Sequence, residues 1–125
     1  MKIKLWMGAV GLALSLLVQP TAAGQYEDGT AAYHHKDYQT ALKLWQPLAE
    51  QGDVKAQYNL GVMYKKGLGV TKDYAQAHMW FHLAAIRGDA NAIKPLDRLS
   101  KLMTPAQIAK AQKLANEWEA THPKS

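Results

Sequence analysis

From Tyr38 onward the apolar residues of this chain recur with a helical period. Tyr38, Ala41, Leu42, Trp45, Leu48 and Ala49 fall on one stripe, and Tyr74, Ala77, Phe81, Ala84 and Ala85 fall on another. Ala56, Leu60 and Tyr64 make a third, and Ile108, Ala111, Ala115 and Trp118 a fourth. The boundaries carry their own chemistry. Asp37 and Asp73 stand where an N-cap carboxylate accepts from orphan backbone N–H groups. Gly52-Asp53 and Gly88-Asp89 each pair a helix-ending glycine with the N-cap of the next helix. So short a connection forces consecutive helices to run antiparallel. Thr104-Pro105-Ala106-Gln107 has the form of a capping box with proline at the first helical position. The pattern predicts six helices in three hairpins, 27–35 with 37–51, 54–66 with 73–87, and 90–102 with 105–120. Pro47 and Pro95 fall inside predicted helices, where each removes a hydrogen bond and bends the axis. At Pro95 the expected outcome includes a split helix, because Lys94 is pushed toward extended geometry. The first hairpin has a shorter turn, His34-His35-Lys36, than the second.

The stripes repeat. Residues 37–53 lie over residues 73–89 at an offset of 36, with Asp37/Asp73, Tyr38/Tyr74, Ala41/Ala77, Ala49/Ala85, Gly52/Gly88 and Asp53/Asp89 identical. Trp45 faces Phe81 in this alignment, and Ala56 and Leu60 continue it onto Ala92 and Leu96. A spacing in the middle thirties with two helices per unit belongs to stacked helical hairpins, and the predicted fold is an all-α short solenoid.

One unit is more specific than that. Ala56, Leu60-Gly61, Tyr64, Gly67, Gly69-Val70, Asp73, Ala77, Trp80-Phe81, Ala84-Ala85 and Gly88 fill the pattern A-x-x-x-L-G-x-x-Y-x-x-G-x-G-V, then D, A, W-Y/F, A-A and G. This closely resembles the Sel-1-like repeat, a branch of the tetratricopeptide-like superfamily. Residues 31–53 resemble a truncated preceding repeat without the Gly-x-Gly loop, and residues 90–120 a degenerate third unit with a terminal cap. Gly61, lacking a side chain, lets two helices approach closely, while Gly67 and Gly69 allow positive-φ turns. The resemblance implies an α-solenoid adaptor with a protein or peptide ligand on its concave face.

The amino terminus is different in kind. Met1-Lys2-Ile3-Lys4 precedes an apolar run from Leu5 to Val18, then Gln19-Pro20-Thr21-Ala22-Ala23. A basic start, a short apolar run and small residues form the layout of a secretory signal peptide, with cleavage expected after Ala23. The run is shorter than the roughly 20 residues of a spanning helix. The expected mature chain, residues 24–125, is one domain in the periplasm or outside the cell. It loses Lys2 and Lys4, which leaves thirteen basic against ten acidic residues, a scattered net +3 that gives no case for nucleic acid. With no cysteine, its stability rests on helix packing alone.

Candidate chemistry is sparse. His78 and His82 are four apart on a predicted helix, a spacing that can hold a metal ion, but no third ligand and no H-E-x-x-H accompany them. His78 aligns with Leu42 beside the packing stripe and His82 with Gln46 at a solvated position, so no metal or cofactor is expected. His34-His35 reads as solvent-facing. Asp37, Asp53, Asp73 and Asp89 are accounted for as caps, and Ser100 has no evident base, so no catalytic residue is assigned. Trp45, Phe81, Tyr64, Tyr38, Tyr74 and Trp118 are expected in the core, and Trp80 sits next to the stripe. For binding a protein or peptide, the residues off the stripe on the first helix of each hairpin are Lys55, Asn59, Met63 and Lys66, then Asn91, Lys94, Arg98 and Lys101. The leading expectation is an envelope adaptor rather than an enzyme. A hydrolase or ligand-binding enzyme acting on envelope material, or a metal-binding protein, is the alternative. Exposed solenoid ends also leave self-association open.

Overall fold

The computed structural model describes residues 22–123, and the predicted signal peptide lies almost wholly outside them. The chain runs through α1 (Ala22–His34), α2 (Tyr38–Glu50), α3 (Val54–Lys66), α4 (Tyr74–Ile86), a 3-10 turn (Ala90–Ala92), α5 (Ile93–Ser100) and α6 (Pro105–Thr121). Among the described residues there is no strand, and no helix is long and apolar enough to cross a membrane.

The ends of α2, α3 and α4 are close to where the sequence placed them, for the reasons it supplied, whereas α1 begins at Ala22 rather than at residue 27. Asp53 and Asp73 accept from the N–H groups of Ala56 and Gln76 at 2.9 and 3.1 Å. At the end of α2 the N–H of Asp53 donates to Leu48 O (2.9 Å) and that of Gly52 to Ala49 O (3.1 Å). The end of α4 repeats both bonds, Asp89 to Ala84 O (3.0 Å) and Gly88 to Ala85 O (3.1 Å). These are Schellman closures, and Gly52 and Gly88 hold their C′ position at φ 101° and 108°. Asp53 and Asp89 each therefore close one helix and open the next element. The turn after α1 has the same two bonds, Asp37 to Ala32 O and Lys36 to Tyr33 O, but its C′ residue is Lys36 at φ 61°. A lysine occupies a glycine position there. Thr104 and Gln107 form the predicted capping box of α6.

α1 pairs with α2 and α3 with α4, and α2 stacks on α3. In both hairpins a glycine of the first helix receives an aromatic ring of the second. A Cβ on Gly61 would lie 2.7 Å from Phe81 Cδ1, and one on Gly29 would fall inside contact distance of the Trp45 indole. Gly29 corresponds to Gly61 at an offset of 32, whereas Trp45 corresponds to Phe81 at 36. The difference equals the four residues by which the first turn is shorter. A search at one fixed offset therefore finds α2 and misses α1.

α4 buries eight of its thirteen residues, with apolar contacts on every side, which makes it the central helix. One cluster joins Trp45, Leu48, Leu60, Met63, Met79, Trp80 and Leu83, and another joins Ala77, Phe81, Ala84, Ala92 and Leu99. Trp80 is fully in the core, while Tyr38, Tyr64, Tyr74 and Trp118 are partly buried against it.

The predicted third hairpin is corrected. Residues 90–102 divide into the 3-10 turn and the eight-residue α5, and Pro95 falls in the first turn of α5, where its missing N–H has no helical acceptor to lose. Pro47, by contrast, stays inside a continuous α2. α5 and α6 scarcely touch each other, and both pack on α4. The end of α6 is pinned by Arg87, whose guanidinium lies 4.7 Å from the Trp118 ring centre and donates to His122 O at 3.3 Å.

Candidate functional site

Stacking one hairpin on the next sets the outer faces of α1 and α3 across a gap. On α1, Tyr26, Thr30 and Tyr33 recur at i, i+4 and i+7, and on α3 Lys55, Tyr58, Asn59 and Val62 recur at i, i+3, i+4 and i+7. Both stripes face the same groove, which comprises two adjoining clefts of about 250 and 350 Å³ sharing Tyr26, Tyr58 and Asn59. Trp45 forms part of the floor of the first, and the second is closed by Asp89 and Asn91 at the 3-10 turn.

The walls are held rigidly. Trp45 Nε1 donates to Tyr26 O at 3.1 Å, and its ring lies 5.9 Å from Tyr26 and 5.7 Å from Tyr33. Gln25 Nε2 donates to Leu44 O at 2.9 Å and ties α1 to α2. Across the gap, Asn59 Nδ2 donates to the Tyr26 hydroxyl at 3.1 Å, which leaves the Tyr26 proton and Asn59 Oδ1 for a ligand. Burial, with the neighbouring Tyr38 and Tyr58 hydroxyls, pushes the Tyr33 phenol above its ordinary value, so it stays protonated. Lys55 Nζ stands 5.9 Å from the Tyr26 ring centre and supplies positive charge at one end. The Asp89 carboxylate at that end accepts from the N–H of Asn91. Such a groove offers aromatic faces and both amide donors and acceptors, the chemistry that peptide backbone requires.

Of the residues singled out from sequence, the fold brings Lys55, Asn59 and Asn91 together in this groove. Met63 does not belong with them. It is 0% exposed in the core, because α3 packs on both α2 and α4 and little of its surface stays free. Lys66, Lys94, Arg98 and Lys101 are exposed but line neither cleft, and Lys101 is paired with Asp97 at 3.3 Å. Tyr26, Tyr33 and Tyr58 went unrecognised. For Tyr26 and Tyr33 the signal is the 26-30-33 spacing, which a helix beginning at residue 27 cuts off, and for Tyr58 it is the 55-58-59-62 stripe of α3.

A second cleft, of about 300 Å³, opens between α4 and α6. Its walls are His78 and His82 on one side and Gln112 and Asn116 on the other, over Ala111 and Ala115. His78 is 8% exposed and its Nε2 lies 3.0 Å from Ser100 Oγ, which itself donates to Leu96 O at 2.9 Å. Burial first, then His82, lowers the His78 pKa, and its Nδ1 is buried with no partner. Ser100 thus has an imidazole beside it, contrary to expectation, because the fold joins residues 22 positions apart. No acid orients that ring, so a Ser-His-Asp triad is not formed. His82 is half-buried in the cleft rather than solvated, since α6 folds back over α4. Among the described residues no three His, Cys, Asp or Glu side chains gather as a metal site.

Comparison with known proteins agrees with the geometry. The Sel1 repeat model matches residues 22–53 and 54–89, and the first match opens with α1. Over 90 residues the chain is 34% identical to chitin synthase regulatory factor 3 of Schizosaccharomyces pombe, covering 70% of this chain and 10% of that protein. It is 38% identical over 53 residues to the ERAD-associated E3 ubiquitin-protein ligase component HRD3 of Candida glabrata, covering 42% of this chain and 6% of the relative. A protective antigen present in uropathogenic Escherichia coli strains, with an SLR fold, superposes with TM-score 0.76 at 31% identity, over 80% of this chain and 22% of that one. The chain therefore spans a tenth or less of these two curated relatives and about a fifth of the solved structure.

Proposed function

Because this chain belongs to the Sel1 repeat family, we propose that it is an exported adaptor that holds a protein or peptide partner in the groove between α1 and α3. The observation that carries this reading is the pair of facing stripes, tyrosines and Asn59, bridged by Asn59 Nδ2 to the Tyr26 hydroxyl. Rigid aromatic walls give contact area at small entropic cost, and the amides of Asn59 and Asn91 fix the register of a bound backbone. The names of the two fungal relatives, a regulatory factor and a ligase component, support an interaction role over catalysis. Export to the envelope rests on the basic start, apolar run and small residues before Gly24.

The test is a pull-down from envelope extract with wild type, with Tyr58→Ala/Asn91→Arg, and with Lys94→Glu/Arg98→Glu on the outer face of α5. A partner retained by wild type and the α5 variant but lost by the groove variant supports the reading. Retention by the groove variant, with its helical circular dichroism intact, refutes it. Sequencing the amino terminus of protein recovered from the envelope checks export, with Gly24 the expected first residue.

A further inference from the structure

We propose that the groove between α1 and α3 takes a proline-rich segment in the polyproline II conformation, with prolines three residues apart resting on Tyr26 and Tyr33. The proposal rests on the reading of this groove as the partner site, and it names the chemistry of the partner.

The spacing of the walls comes first. Tyr26 and Tyr33 are seven residues apart on α1, and Lys55 and Val62 are seven apart on α3. At roughly 1.5 Å of rise per residue, the members of each pair are separated along the groove by about 10.5 Å. A polyproline II helix advances about 3.1 Å per residue and returns to the same face at every third, after about 9.3 Å. An extended strand returns to one face about every 6.7 Å, out of step with the two rings. A helical ligand keeps its N–H and C=O groups for itself and leaves the hydroxyls and amides of the groove unmatched.

The surface fits the same ligand. Trp45 lies 5.9 Å from Tyr26 and 5.7 Å from Tyr33, tilted by 31° and 34°, so aromatic surface runs unbroken from one tyrosine to the other. Its indole N–H is already given to Tyr26 O, so the floor offers carbon for a pyrrolidine ring to cover. Above that floor donors predominate. Tyr26, Tyr33 and Tyr58 each carry a phenolic proton, the Tyr26 oxygen is already occupied by Asn59, and no carboxylate lines the first cleft. Lys55 adds positive charge at the second. Polyproline II makes no internal hydrogen bonds, so its carbonyls face outward as acceptors, and each proline lacks the N–H that would compete for the fewer acceptors here. The electronegative carbonyls thus meet a donor-rich wall. A segment already held in this conformation also loses less entropy on binding.

The experiment measures fluorescence anisotropy of labelled, capped peptides of equal length titrated with the full chain. One repeats Pro-Ala-Ala three times, one has the same composition with its prolines adjacent, and one is alanine and serine alone. Saturable binding of the spaced peptide is expected, with the other two weaker by at least about five-fold. Tyr58→Ala weakens it by about ten-fold. Tyr26→Phe, which keeps the ring and removes only the hydroxyl, weakens it by about three- to ten-fold and decides the matter if Tyr58→Ala loses its helical circular dichroism. Lys94→Glu, on the exposed side of α5, leaves affinity unchanged. No binding of the spaced peptide, equal affinity for the three peptides, or wild-type affinity in Tyr26→Phe would overturn the proposal. Should the spaced peptide fail while the pull-down still yields a groove-dependent partner, the groove reading stands and only its proline-rich ligand falls. Failure of both experiments removes both.

Discussion

Gly61→Ala tests the close approach on which the repeat depends. In an ordinary helix the change is favourable by about 1 kcal/mol, because alanine loses less backbone entropy on folding. Here the added Cβ would stand 2.7 Å from two atoms of the Phe81 ring and 2.9 Å from a third. Phe81 is 1% exposed and its ring also meets Tyr58 at 5.6 Å, so it has nowhere to retreat. Overpacking of a fixed core costs about 1–3 kcal/mol, and three short contacts put this site at the upper end. The net expectation is a loss of about 2 kcal/mol. For a domain of this size that is a fall in Tm of roughly 8–16 °C. Urea unfolding followed by circular dichroism measures it. Gly61→Ala combined with Phe81→Leu, against each single change, isolates the steric part, and a coupling of at least about 1 kcal/mol is expected. A Gly61→Ala protein as stable as wild type, or more so, would show that the helices do not need this approach.

The remaining predictions concern the short turn and the buried imidazole. Lys36→Gly relieves a left-handed backbone at φ 61° and is expected to stabilise the protein by about 0.5–1 kcal/mol, the left-handed strain of roughly 1–2 kcal/mol being partly offset by glycine's unfolded-state entropy; chemical denaturation reads it, and a loss of stability would refute it. His78 has a lowered pKa in the folded state, so below the ordinary value of 6.5 the unfolded chain binds more protons than the folded one. This contribution is present above pH 6.5 and is lost as pH falls below it, and His78→Gln is expected to flatten that part of a stability-versus-pH curve.

Much of this protein could be read without coordinates because its signals act over a few residues. Asp53 and Asp89 cap and close helices, and Asp73 caps α4, through bonds to groups five residues away or nearer, so composition and spacing suffice. The Gly67 left-handed cap and the Thr104 capping box are equally local. The helical period then assigns Trp45, Leu48, Leu60 and Phe81 to the core, and the unit from Ala56 to Gly88 identifies the family. What lay beyond reach was set by distant partners. Met63 falls off the apolar stripe of α3 in the sequence, and it is buried because α3 packs on two sides. The groove needs Tyr26 and Asn59, 33 positions apart, and the histidine cleft needs α6 to turn back on α4 rather than on α5. Helix identity and ends follow from short-range hydrogen bonding and propensity, which the order of residues states directly. Which faces meet, and which polar groups are left buried without a partner, depends on how the helices divide a shared core, and only the tertiary structure decides that.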